Sequence, residues 1–342
     1  MNIFGLDIGA TSMKIVYVTK NKDGVQLQSC LTTVTPAKGM LSESAFDQQE
    51  MSQAIQRLMV EAHVPSKLVN IALPENQVFT KVIDMPVLSD KELSSAIYWE
   101  AEQHIPAPLA TMTLDYKVLQ RQQSSQATPK MQVLLVGAPT TLIRRYQSIL
   151  EMTGLTINAV ETEILSVIRA LASGNMSAVQ LLVNIGALST SLAIIQKGIL
   201  VFSYTIPLGG LAMDRAIASN FGFTPAQAEE YKKVYGIADQ SLGGKISQAL
   251  QPILVSMLTE VKKALTYYSE KYSNENPITQ IILTGGTSLL PGIDVFFVKN
   301  CGIETSIGNP WKSVPVGQVP PALLEQGPRF SVAVGLAMRQ NE

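Results

Sequence analysis

Cysteine and histidine are scarce in this sequence. Two of each occur in 342 residues, Cys30, Cys301, His63 and His104. That is too few for a disulfide framework or for a zinc site built from thiolates and imidazoles, so all four are expected to be structural or surface residues. Charge is sparse as well: 15% of residues are Asp, Glu, Lys or Arg, with a formal net charge of -1. No run of five or more Lys or Arg occurs, which argues against a nucleic-acid footprint or a polybasic membrane anchor. No apolar window reaches the roughly 18 residues of a membrane span, and the N-terminus MNIFGLDIG lacks the basic region of a signal peptide. A cytoplasmic chain with no direct membrane span is expected. Hydrophobic residues, in contrast, make up 46%, which suits mostly covered sheets and a surface shared with a partner. The length exceeds the roughly 100–200 residues of one ordinary core, so two domains, or one split domain with an insertion, are expected.

The chain opens with three strand-like runs, NIFGLDIG, KIVYVTK and VQLQSCLTTV, the second turn carrying Asp23-Gly24, a strong hairpin signal. Met51, Ile55, Leu58, Met59 and Ala62 then fall at helical spacing, with Ser44 placed as cap and Asp47 as the N3 acid. Strand LVNIAL follows. Between 74 and 155 the texture changes: Pro74, Pro86, Pro106 and Pro108 punctuate a βαββα-like unit closed by the helix TTLIRRYQSILEMT and its C′ glycine Gly154. This stretch reads as an inserted subdomain, its Gln/Ser-rich loop at 121–130 a mobile hairpin tip. The second half restarts with VQLLVNIGALST, LAIIQKG and ILVFSYTIP, again three strands in a row. Thr224-Pro225-Ala226-Gln227 combines an N-cap, proline at N1 and a capping-box glutamine. A long helix over about 245–272, strand ITQIILTGG and a final helix SVAVGLAMRQ complete the pattern.

Asp7-Ile8-Gly9-Ala10 and Asn184-Ile185-Gly186-Ala187 stand 177 residues apart (184 minus 7). Matching strands before them and hairpins after them point to a duplicated fold. Two such tips facing each other make a phosphate clamp. Glycine lets backbone N–H groups approach the anion, Thr11, Ser12, Ser189 and Thr190 add hydroxyls, and Lys14 adds positive charge. An aspartate beside polyphosphate is repelled unless a cation intervenes, so Asp7 is expected to hold Mg²⁺ through its waters; the alternative is a strand-end acid capping its own turn. Gly285 and Gly286 in LTGGTSLLPG follow a strand where a base and ribose can lie on bare backbone. Gly209 and Gly210 in IPLGGLAMD open a helix whose N-terminus is a further anion site.

Taken in order, DIGATSMK, NIGALST, PLGG, TPAQAEEYKK, LTGGTSLLPG and SVAVGLAMR resemble the actin/Hsp70/sugar-kinase ATPase fold and, within it, the PilM family of type IV pilus assembly proteins. AEQHIP with Asp115 and Tyr116 downstream carries the likeness into the insert, which resembles that of FtsA. The fold class implied is α/β: duplicated actin/Hsp70/RNase H-like domains around a nucleotide cleft. Residues 1–74 would begin the first domain, completed by 156–178 and 330–342; 75–155 would be the insert; 179–329 would form the second domain, with a helical subdomain at about 211–274. The resemblance implies ATP as ligand, Asp7, Gly9, Thr11, Ser12 and Lys14 in a first phosphate loop, and Gly186, Ser189 and Thr190 in a second. It places Glu229, Lys232 and Lys233 on one side of the adenosine and Gly285, Gly286 and Thr287 on the other; from spacing alone Glu229, Lys232 and Lys233 read as a solvated helix face. Asn184 departs from the aspartate usual in the second loop. An amide carries no negative charge and cannot act as a base, so nucleotide binding with slow or absent turnover is expected. Glu163 is the nearest remaining acid, read either as a catalytic group or as a helix-start acid favoured by the dipole. The resemblance further implies a partner, the cytoplasmic tail of a PilN-like inner-membrane protein, lying between the first subdomain and the insert, with pilus assembly platform and motor components beyond it. Met85, Pro86, Leu88, Ile97, Trp99 and Pro106 are candidates to line that groove or to pack the insert's core. A homo-oligomer is left open. An actin-fold small-molecule kinase and an FtsA-like filament former are the competing readings, the latter weakened by the short stretch after AVGLAMR for an amphipathic membrane helix.

Overall fold

The computed structural model describes residues 2–21, 24–121, 130–172, 178–238, 241–313, 319 and 321–339. The chain opens as an antiparallel meander, β1 (Ile3–Ile8), β2 (Ser12–Asn21) and β3 (Gly24–Val34). Asn21 pairs with Gly24; Asp23 of the expected turn lies outside the described residues, as does most of the Gln/Ser-rich stretch read as a hairpin tip. Helix α1 (Ala45–Glu61) crosses over to β4 (Leu68–Leu73), which lies parallel to β1. Ser44 occupies the N-cap of α1, but its side chain makes no capping bond; Asp47 instead accepts the hydroxyl of Ser42.

The insert contributes β5 (Phe79–Pro86), α2 (Asp90–His104), β6 (Met112–Arg121) and β7 (Lys130–Pro139), in a three-stranded sheet ordered β5-β7-β6. Its own core joins Met85, Leu93, Ile97 and Ile105 with Met131, Val133 and Leu135. Helix α3 (Thr140–Met152) follows, yet Leu142, Tyr146, Ile149 and Leu150 pack with Phe4, Leu6, Met51 and Ile55, in the core under the first sheet. Strand β8 (Thr156–Thr162) completes that sheet, ordered β3-β2-β1-β4-β8, and α4 (Glu163–Leu171) covers it.

The second half comprises β9 (Val179–Ile185), β10 (Thr190–Gln196), β11 (Ile199–Ile206), α5 (Gly210–Phe221), α6 (Pro225–Tyr235), α7 (Lys245–Lys271), β12 (Ile278–Thr284), α8 (Ile293–Cys301), β13 (Glu304–Ile307), the short α9 (Pro321–Glu325) and α10 (Ser331–Met338). Its sheet order, β11-β10-β9-β12-β13, repeats the first one strand for strand. The repeat holds to the residue: Asp7 faces Lys14 across β1 and β2, and Asn184 faces Ser191 across β9 and β10. The capping box of α6 forms as expected, Thr224 accepting from the Gln227 amide.

Helix α10 returns to the first half and packs on α4 and β1. The small residues of its sequence make this possible: a Cβ at Gly335 would lie 1.9 Å from the Ser166 carbonyl oxygen, and one at Gly5 would lie 2.3 Å from that of Ala333. Polar bonds secure the same contact. Buried Asn70 donates to the Leu336 carbonyl at 2.9 Å, and buried Glu161 receives Ser166, Arg169 and Arg339 at 2.6–2.8 Å. A carboxylate with this many donors is stable where a lone one would be costly. The terminal AVGLAMR motif is thus a helix-packing and charge-pairing element.

Candidate functional site

Both glycine loops close the same way. The Gly9 amide donates to the Ser12 carbonyl at 3.1 Å and the Gly186 amide to that of Ser189 at 2.9 Å. They face one cleft of about 470 Å³, and around it gather Asp7, Gly9, Thr11, Ser12, Lys14, Glu163, Gly186, Ser189, Gly210, Glu229, Lys232, Lys233, Gly285, Gly286 and Thr287. The expected residues therefore converge from positions up to 280 apart in sequence (287 minus 7). Gly285, at φ +84°, is required by contact as well as by conformation, since a Cβ there would lie 2.5 Å from the Ile185 carbonyl oxygen.

Two expected contributors face elsewhere. Thr190 is fully buried and its hydroxyl donates to the Leu208 carbonyl at 2.8 Å, so it secures the strand after the second loop and adds no donor to the cleft. The start of α5 is likewise occupied: the Gly210 and Leu211 amides donate to the Gly186 and Ala187 carbonyls, each at 2.9 Å. Gly209 serves that approach, because a Cβ there would lie 2.6 Å from the Ala187 carbonyl oxygen. This helix end anchors the second loop and is not an open anion site. Thr287 lines the cleft while its hydroxyl donates to the Gly186 carbonyl at 3.3 Å.

The charges are arranged in pairs. Lys14 Nζ lies 2.8 Å from Asp7 Oδ2, both buried. Lys232 is buried too, 2.7 Å from Asp214 Oδ1, and donates to the Gly210 carbonyl at 3.2 Å, tying α6 to α5. Glu229 and Lys233 form an exposed pair one helical turn apart at 2.6 Å, so the solvated-face description fits these two and fails for Lys232. Burial pushes the Glu163 carboxyl up to about 8, and the negative charges of Asp7 and then Glu75 add to the effect. Burial also raises Asp214, against the stabilising bond from Lys232. Around neutral pH the phosphate side of the cleft thus offers a paired carboxylate and a largely protonated one.

Asn76, Asp214, Gln326 and Arg329 also line the cleft. Asp214 ends the IPLGGLAMD stretch itself, four residues after Gly210, and its place on the helical face was the available signal. Arg329 precedes α10 and carries no local motif. Among the described residues no three His, Cys, Asp or Glu side chains gather to hold a metal. Of the six groove candidates, Met85 and Ile97 fill the insert's core, whereas Trp99 is 67% exposed beside Tyr98. No helix among the described residues is long and apolar enough to cross a membrane.

Comparison with known proteins agrees with this architecture. A solved PilM-PilN type IV pilus biogenesis complex matches with TM-score 0.86 at 28% identity, over 99% of this chain and 98% of that one. MreB5 of Spiroplasma citri bound to AMPPNP shares the fold, with TM-score 0.55 at 14% identity over 97% of this chain and 94% of that one. The cell division protein FtsA of Neisseria meningitidis serogroup B is 25% identical over 231 residues, 60% of this chain and 53% of FtsA. The chain spans about half the length of the curated relatives it matches. These likenesses show the actin-like fold. The family described as type IV pilus assembly protein PilM matches residues 5–341, from within β1 to beyond α10; the chain belongs to that family.

Proposed function

We propose that this chain is an ATP-binding scaffold or switch of a type IV pilus assembly platform, with a PilN-like cytoplasmic tail as its partner. The observation that carries the proposal is the convergence of two identically closed glycine loops and Gly285-Gly286 on one cleft. Backbone amides at such loops suit polyphosphate. Thr11, Ser12, Lys14 and Ser189 would hold the phosphates, with Gly9 and Gly186, whose own amides close the loops, leaving room for their approach, and with Gly285, Gly286 and the α6 side chains toward the adenosine. Mg²⁺ suits this donor set: with Asp7 at the first phosphate loop and no three-ligand cage among the described residues, it would draw its remaining ligands from phosphate oxygens and water, as it commonly does. When bound it would neutralise phosphate charge.

Slow or absent hydrolysis is expected because Asn184 cannot take a proton and Glu163 already holds one near neutral pH. ATP would then act by closing the cleft between the two halves, a population shift that alters the surface offered to partners. Partner binding by a PilN-like tail is supported by the likeness to the PilM-PilN complex; exposed Trp99 is available to such a contact, and membrane association would then be indirect. Titration calorimetry with ATP, with and without Mg²⁺, followed by phosphate release and binding of a PilN-like tail peptide, tests the proposal. Magnesium-dependent binding with little turnover is expected. Absence of ATP binding would overturn the nucleotide assignment, and absence of peptide binding the partner assignment.

A further inference from the structure

Two cavities lie back to back in this protein. Pro74, Asn76 and Glu163 line the cleft, whereas Glu75 and Ile164 line a second cavity of about 470 Å³ shared with β5 of the insert and β11 of the second half. The partition between them is thin: the connector into the insert on one side and the first turn of α4 on the other, with alternate side chains facing opposite cavities.

One buried side chain joins the two faces of the partition. Glu75 is 4% exposed, and its Oε1 accepts the Ile164 amide at 2.9 Å. Thr162, at the N-cap of α4, makes no side-chain capping bond, so the helix is capped from 89 residues away. The bond also suits the positive end of the helix dipole. Glu75 Oε2 accepts the Thr80 hydroxyl at 3.5 Å, and the Thr80 carbonyl accepts the Ser203 hydroxyl at 2.9 Å. A continuous path therefore runs from β11, through the insert, to the turn that carries Glu163 into the cleft.

We propose that Glu75 is a positioning residue for the nucleotide cleft: it sets the first turn of α4, and with it Glu163, against the phosphate loops and registers that setting to the insert. This rests on the nucleotide assignment made above. A displacement of the insert moves the cap, and the cap moves Glu163. The charged and titratable groups acting on Glu163 are Asp7 from β1, Lys14 from β2, Tyr146 from α3 and Glu75 itself.

Two variants of the full chain test the assignment. Glu75→Gln keeps an acceptor oxygen for Ile164; Glu75→Ala loses it. Calorimetric affinity for Mg-ATP is measured from about pH 6.5 to 9, spanning the Glu163 titration, and hydrogen exchange at the start of α4 is measured without nucleotide. Glu75→Ala is expected to weaken Mg-ATP binding roughly five- to tenfold, the range a lost cap allows, and to speed exchange at Ile164. Glu75→Gln is expected to bind within about twofold of wild type at neutral pH and to exchange Ile164 at the wild-type rate, because burial already raises the Glu75 carboxyl and the amide keeps the acceptor. Folded Glu75→Ala protein with wild-type affinity and pH midpoint would overturn the proposal. Should that variant fail to fold, Glu75→Met, which fills the space but offers no oxygen to Ile164, takes its place with the same expected and overturning results. If wild type binds no ATP, the nucleotide assignment fails by itself, and exchange at Ile164 still decides whether Glu75 sets the helix end: unchanged exchange overturns it, in Glu75→Ala or, where that does not fold, in Glu75→Met.

Discussion

Lys14 and Asp7 sit opposite each other on β2 and β1 with 2.8 Å between Nζ and Oδ2, while the equivalent positions in the second half, Ser191 and Asn184, carry no charge. The duplicated sheet keeps its register and carries the ion pair in one copy alone. The acid at the mouth of β1 is thus balanced before any cation arrives. A bound nucleotide would redistribute that balance, with Lys14 drawn toward phosphate and Mg²⁺ facing Asp7.

Asp7→Asn leaves a buried ammonium without its partner, and removing one member of a buried pair costs about 3–5 kcal/mol. The double variant Asp7→Asn/Lys14→Met is expected to regain most of that loss, because the two effects are coupled. Urea unfolding of the singles and the double checks it; additive losses would show that the pair is not coupled. In calorimetry Asp7→Ala should also remove the Mg²⁺ dependence of ATP binding, and retained dependence would count against the metal role.

Glu163 supplies a pH test. Its carboxyl titrates near 8 in the folded chain against 4.5 in the unfolded one. Between those values the folded state holds a proton that the unfolded state has released, so stability falls as pH rises through the window. Glu163→Gln has no such proton and should become progressively more stable than wild type from about pH 5 to about 8.5. Denaturant unfolding at several pH values measures the difference, and a pH-independent difference would contradict the assigned environment.

How legible this was depends on how local the cause is. LVNIAL and the Thr224–Gln227 capping box were readable because strand burial and helix capping are set by neighbours within a few residues. The two loops were readable because duplication printed the same pattern twice. The direction of the Thr190 hydroxyl was not, since it is decided by the Leu208 carbonyl 18 residues on. Glu75 escaped notice for the same reason: its partner is an amide 89 residues away. The packing of α3 follows from Tyr146 and Ile149 meeting the first sheet, whereas its place after β7 suggests the insert.

Gly335→Ala is expected to be among the most damaging small substitutions in the chain. The added methyl would overlap the Ser166 backbone, 1.9 Å from its oxygen, where no side-chain rotation can relieve it. Separating α10 from α4 to make room strains the Asn70 and Glu161 bonds as well. A loss of about 3 kcal/mol or more follows from overpacking of this severity, read as a lower denaturation midpoint. A near-neutral effect would mean that the two helices are not in close contact.

Asn184→Asp asks whether the missing carboxylate limits turnover. The position is 5% exposed and faces Ser191, so a new carboxylate there lacks the lysine that balances Asp7. Without ligand the variant should therefore be less stable than wild type, as a buried unpaired charge requires. Mg-ATP reverses the situation by bringing a cation beside the new charge, so thermal protection by Mg-ATP should be larger in the variant than in wild type. A carboxylate ionised at neutral pH could also accept a proton from water, which the amide cannot and Glu163, titrating near 8, does poorly. Steady-state phosphate release is expected to rise by about tenfold or more, since positioned general bases contribute at least that much. Unchanged release would place the limit elsewhere, and release in wild type that climbs with pH through about 8 would assign the proton transfer to Glu163.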